Sequence, residues 1–129
     1  MTRPTVLIAD EESLIRWSLG ERLRIEGFDV LEATRGSAVE RLGRGVDVVV
    51  LGCEMADRDG CNVLRQLKHA NPLVPIILLT TCPTADEEDK ATEMGVWAVA
   101  RKPFGLDGLI AIVKNACRPL AAASSFAVH

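Results

Sequence analysis

Four short stretches of this chain carry groups suited to one kind of chemistry. Asp10, Glu11 and Glu12 follow one apolar run, and Gly52, Cys53 and Glu54 follow another. Thr80 and Thr81 close a third, and Arg101, Lys102 and Pro103 close a fourth. Carboxylates are the hard oxygen donors that magnesium takes, together with several waters. A lysine and a hydroxyl neutralise and hydrogen-bond phosphoryl oxygens. Each residue alone suits a solvated loop. Gathered on one edge of a fold, they would be equipment for a divalent cation and a phosphoryl group.

The elements that must position them are legible from periodicity. Apolar runs at Val6–Ala9, Asp29–Glu32, Val46–Leu51, Pro75–Thr80 and Val96–Ala100 are expected strands. Four are apolar on both faces, as strands covered by helices on two sides require. The run around Val30 and Leu31 is more polar and predicts an edge strand. Between the runs lie helical stretches. Ser13–Glu26 carries Ile15, Leu19 and Leu23 on one face, and Gly27 offers a left-handed cap with Phe28 folding back. A short helix fits Ser37–Leu42. Cys61–Ala70 would bury Val63, Leu64 and Leu67, with Asn71-Pro72 as its stop. A fourth helix opens on the acids Asp86 to Asp89, which suit the positive end of a helix dipole, and ends at Gly95. A fifth has the stripe Leu106, Leu109, Ile110 and Val113. This βαβαβαβαβα alternation predicts an α/β fold with a parallel sheet and right-handed crossovers. The site would then lie at the carboxyl ends of the strands.

Composition bounds the rest. A chain of 129 residues, 48% hydrophobic, is one domain with a sufficient core. The expected division is 1–118 as the folded domain and 119–129, with linker composition, as a linker or tail. A net charge of −3 argues against nucleic-acid binding by this domain. Cys53, Cys61, Cys82 and Cys117 form no CxxC pair and fit no zinc module. No apolar run approaches the ~20 residues of a membrane helix, and no secretory leader is visible. The expected location is cytoplasmic. Trp17 and Trp97 are expected to pack, and His69 to be a solvated helix-end side chain.

The segments Val6-Leu7-Ile8-Ala9-Asp10-Glu11-Glu12, Met55 with Asp59-Gly60, Thr80, and Lys102-Pro103-Phe104 resemble a response-regulator receiver domain in order and spacing. The resemblance runs from Thr5 to Ala116. Ile15–Leu19, Glu26-Gly27-Phe28 and Val30–Ala33 are most similar to receivers of sigma-54-dependent activators of the nitrogen-regulation type. The resemblance implies a doubly wound, flavodoxin-like (βα)5 fold with strand order 2-1-3-4-5. It implies Asp10 and Glu11 as magnesium acids, Glu54 as a residue whose backbone carbonyl meets the metal, Thr80 as the switch hydroxyl, and Lys102 as the phosphate-gripping lysine before a cis proline. In such domains an aspartate ending strand three takes the phosphoryl group by carboxylate attack.

The departures are as specific. Counting five residues on from Asp47, or eight back from Gly60, the acceptor position holds Gly52. Glycine offers neither nucleophile nor metal ligand. Glu11 stands where aspartate is usual, Ala56 where proline is, and Val99 where a switch tyrosine or phenylalanine would be. The expectation is therefore a pseudo-receiver with no catalytic residue, no certain cofactor and at most weak magnesium binding at Asp10 and Glu11. It would act through protein contacts with its own effector domain, another regulator or a kinase. Homodimerisation through helix four, strand five and helix five would join the acids Asp86–Asp89 to Arg101, Lys114 and Arg118. Lys102, without its usual partner, should pair with Asp10 or Glu54. Two alternatives stand beside this reading. One is a receiver phosphorylated on an unusual acceptor, such as Glu54, Asp57 or His69. The other is a haloacid-dehalogenase-like phosphatase, whose opening motif Asp10 and Glu12 imitate.

Overall fold

A computed structural model describes residues 3–53, 55, 60–81 and 84–128, with side chains as far as Cys117. Glu54, Asp57 and Cys82 lie outside the described residues. The elements run β1 (Thr5–Ala9), α1 (Ser13–Ile25), β2 (Asp29–Ala33), α2 (Gly36–Gly43), β3 (Val48–Gly52), α3 (Gly60–Ala70), β4 (Ile76–Thr80), α4 (Ala85–Glu93), β5 (Ala98–Arg101) and α5 (Leu106–Val128). The five strands pair in parallel in the order β2-β1-β3-β4-β5. This is the expected doubly wound, flavodoxin-like arrangement, with β2 at the edge.

The sheet separates two apolar layers because successive side chains of a strand point to opposite faces. Val6 and Ile8 of β1 face Leu19 and Leu23 of α1 and Leu109, Ile110 and Val113 of α5. Leu7 and Ala9 face Val39 of α2 and Val63, Leu64 and Leu67 of α3. Each of the larger aliphatic side chains, fully buried, contributes about 1.5–3 kcal/mol. Gly27, at φ 99°, ends α1 as expected, and Phe28 N–H donates to the Leu23 carbonyl at 3.0 Å. α4 is held differently. Its only buried residue is Ala91, while its first turn is fixed by a reciprocal cap between Thr84 and Glu87.

Three differences from the sequence expectations have physical causes. β3 begins at Val48; Asp47 just before it donates its N–H to the Thr5 carbonyl at 2.9 Å, while its carboxylate takes the Thr5 N–H at 2.7 Å in place of a backbone carbonyl. Trp17 and Trp97 are exposed, at 64% and 47%. Trp17 falls off the Leu19–Leu23 stripe and shares an outer face of α1 with Leu14 and Ile25. Helix α5 continues through 119–128, the segment whose composition suggested a linker; its alanines are the strongest helix formers.

Candidate functional site

All four chemical stretches meet at the carboxyl edge of the sheet. Asp10 follows β1, Gly52 ends β3, Thr80 ends β4 and Lys102 follows β5. The strand order makes this juxtaposition: β1 and β3 are hydrogen-bonded neighbours, as are β3 with β4 and β4 with β5. Backbone bonds fix the ends. Asp10 N–H donates to Ala33 O at 3.2 Å, Cys53 N–H to Leu79 O at 2.8 Å, and Lys102 N–H to Thr80 O at 2.7 Å. Arg16 on α1 donates to the Asp10 carbonyl at 2.8 Å and pairs with Glu32 at 3.4 Å. The Lys102–Pro103 bond is cis.

At the centre Asp10 is only 1% exposed. Its Oδ1 accepts from Glu12 N–H at 2.9 Å, and its Oδ2 lies 2.9 Å from Lys102 Nζ. The same ammonium reaches Glu12 Oε1 at 3.0 Å. Lys102 therefore bridges a buried carboxylate and an exposed one. Partial burial alone would lower the lysine pKa, but the bonds to Asp10 and Glu12 outweigh it and hold the value above the ordinary lysine range. Of the two partners expected for Lys102, Asp10 is found, and Glu54 lies outside the described residues. Glu12 is the residue that sequence reasoning missed. Its role follows from the turn that its backbone makes onto Asp10 Oδ1.

Gly52 is buried in β3, and its surroundings are close. A Cβ at Gly52 would stand 2.6 Å from Asp10 Oδ2 and 3.4 Å from the Ala9 carbonyl. The Asp10 carboxylate thus lies in the volume that any side chain at position 52 would enter. Gly60, opening α3, is constrained by backbone: a Cβ there would meet the Cys53 carbonyl oxygen at 2.1 Å, and its own N–H donates to that oxygen at 2.9 Å. Glu11 is exposed and Thr80 half-buried. His69 is exposed at the end of α3, away from the strand ends. The thiol of Cys117 on α5 is pushed up to about 11, by burial first and by Asp47 second, so little thiolate forms near neutral pH.

Residues 6–114 match the sequence model of the response regulator receiver domain. The chain belongs to that family. This receiver is 31% identical to the DNA-binding transcriptional regulator NtrC of Escherichia coli over 118 residues, covering 90% of this chain and 25% of that protein. It is 33% identical to the transcriptional regulatory protein PdtaR of Mycobacterium tuberculosis, covering 86% of this chain and 55% of that protein. The receiver thus spans between about a quarter and about half of such relatives. Among solved structures, a receiver domain protein from Clostridium thermocellum superposes with a TM-score of 0.84 at 27% identity, covering 93% of this chain and 98% of that one. The signal receiver domain of a LuxO repressor homologue from Vibrio parahaemolyticus, at 16% identity and a TM-score of 0.88 (97% of this chain, 98% of that one), shares the fold. Membership places the receiver in two-component signalling, and the relatives include the nitrogen-regulation type that the sequence resembled. Family and fold leave no room for the dehalogenase reading; Glu12, which imitated that motif, is paired with Lys102. Among the described residues no helix is long and apolar enough to cross a membrane.

Proposed function

We propose that this receiver is a pseudo-receiver, a regulatory domain that takes no phosphoryl group and works through protein contacts. The observation that carries the reading is the occupancy of position 52. Gly52 has no carboxylate, the Asp10 carboxylate fills the adjoining volume, and Lys102 is already paired with Asp10 and Glu12. A phosphoryl group arriving there would find no nucleophile and a lysine already neutralised. The magnesium donor set does not fit either. Asp10 Oδ1 accepts from Glu12 N–H and Oδ2, buried without a hydrogen bond, faces the Lys102 ammonium at 2.9 Å; Gly52 adds no donor, and Glu11 is exposed. Among the described residues no three His, Cys, Asp or Glu side chains group to hold a metal. In this reading Thr80 and Lys102 are remnants of a phosphate site.

In this reading 1–118 is the regulatory unit and 119–129 a linker or tail, in a cytoplasmic protein. Its partners are an effector domain, another regulator or a kinase. Leu14, Trp17 and Ile25, exposed together on α1, support protein contact. Self-association would use the α4–β5–α5 face, where Asp86–Asp89 could meet Arg101 of a second copy. Lys114 is drawn instead to Glu26 within the chain, and the Arg118 side chain lies outside those described.

The test is incubation with acetyl phosphate and magnesium, followed by intact-mass measurement. The expected result is an unmodified mass. A stable single-phosphate adduct mapping to the strand-end pocket would falsify the reading, and its position would reveal an unusual acceptor such as Glu54 or Asp57.

A further inference from the structure

Beside the Asp10–Lys102 cluster lies a recess of about 450 Å³ that shares Glu11, Thr80 and Lys102 with the strand-end site and extends from it toward α4. It opens between α3 and α4, over β4 and β5. Its floor is apolar: Leu64 of α3, Leu78 of β4, Ala91 of α4, Met94 just after α4, and Val99 of β5. Its rim is polar, with Glu11, Glu12, Glu87 and Glu88 outnumbering Lys90 and Lys102. Lys102 adds no net positive charge there, because Asp10 and Glu12 already hold it. A recess of this volume, apolar within and polar at its mouth, has the build of a small-molecule site.

The helix above it is the one least anchored. α4 buries Ala91 alone, whereas α3 buries Val63, Leu64 and Leu67. The space between α4 and the sheet exists because Val99 is short and α4 sends down only Ala91, with half-buried Met94 following its last turn. A ligand ring placed there would give α4 the apolar contacts that its own sequence withholds.

We infer that this recess binds a small organic cation with an apolar body, an aryl- or alkylamine whose ring packs on Leu78, Met94 and Val99 while its ammonium meets the glutamates of the rim. Binding would order α4, and so carry a chemical input to the α4–β5 face. The rim shares Glu11 and Lys102 with the strand-end site, but the ring contacts, Leu78, Met94 and Val99, do not involve position 52.

Phenethylamine is the probe, titrated into the uniformly ¹⁵N-labelled chain and followed by amide spectra, with 3-phenylpropionate as the partner of opposite charge. The expected result is saturable shifts around Ala91, Met94 and Val99, slower amide exchange in α4, and binding of the carboxylate weaker by about tenfold or more. Val99→Phe, which fills the recess, should weaken phenethylamine by about tenfold or more. Ala91→Leu fills it from the other side and serves if the first variant does not melt cooperatively. Absence of saturable shifts overturns the site. Shifts that persist unchanged in a folded filling variant place the ligand elsewhere and overturn it equally. Equal binding of the carboxylate overturns the ligand class. No phosphodonor enters the experiment, so its failure is separate from a failure of the pseudo-receiver reading.

Discussion

At the scale of single residues, the site turns on one exchange of volume. Gly52 ends β3 without a side chain, and the Asp10 carboxylate lies in the space one would enter. Gly52→Ala should therefore be destabilising although alanine suits a strand better than glycine, because its methyl meets a buried carboxylate at 2.6 Å. Overpacking of this kind costs about 1–3 kcal/mol. The cost should shrink when Asp10 is also alanine, a coupling that thermal melts of the four-member cycle would measure. Gly52→Asp adds like charge beside Asp10. It should melt lower than Gly52→Ala, recover partly with magnesium, and bind beryllofluoride weakly, since Glu11 and Val99 are unchanged. Robust beryllofluoride binding by this single variant would show that the site has decayed at Gly52 alone. The second exchange is Lys102. Replacing it with methionine leaves the buried Asp10 without its cation, at a cost on the order of 3 kcal/mol; the exposed Glu12 adds little. Because the folded-state value of Lys102 is raised, its contribution is complete below the unfolded lysine range and is lost as pH climbs through the folded value. The melting difference between wild type and Lys102→Met should hold near neutrality and narrow above about pH 10.5. A constant difference across that range would argue against the ion pair.

At the scale of elements, stability is unevenly distributed. α1, α3 and α5 are pinned by buried aliphatic side chains, while α4 depends on its capping box and on Ala91. Thr84 accepts from Glu87 N–H at 3.1 Å, and Glu87 accepts in return from Thr84 N–H at 3.3 Å. Removing the hydroxyl by Thr84→Ala costs about 1 kcal/mol. With so little packing to share the loss, the effect should be local. Amides of α4 should exchange faster than those of α3 in the wild type, and faster again in the variant, while the global melt moves little. Equal protection of α3 and α4 would contradict the picture of a loosely seated helix.

At the scale of the whole molecule, doubly wound topology delivers an edge where four strand ends converge, and an adjacent face where α4, β5 and α5 meet solvent. The edge holds the Lys102 pairs; the face carries the acids Asp86–Asp89 of α4 and Arg101 of β5. If opposite charges across a two-fold drive self-association there, sedimentation at low salt should show a concentration-dependent dimer that Arg101→Glu abolishes and that salt weakens. A monomer at high concentration and low salt would assign that face to a different protein.

The amino-acid sequence by itself determined the alternation of strands and helices, the edge position of β2 and the gathering of acids, hydroxyl and lysine at one rim. Those depend on local periodicity and on the run lengths between punctuating glycines and prolines. It also placed Gly52 just after an apolar run, where β3 ends. Strand boundaries were less legible: at the start of β3 the Asp47 carboxylate accepts the Thr5 N–H, a contact 42 residues away in sequence. Tertiary structure alone decided which carboxylate would take Lys102, since Glu12 lies 90 residues from it and reaches it only through the β1-β3-β4-β5 order. It also decided that Trp17 faces solvent, because one residue's offset on a helix turns a side chain by about 100°. And it alone revealed Asp10 in the space beside Gly52: the volume a missing side chain leaves is filled by whatever neighbour the fold brings near, and no reading of residue types states which neighbour that is.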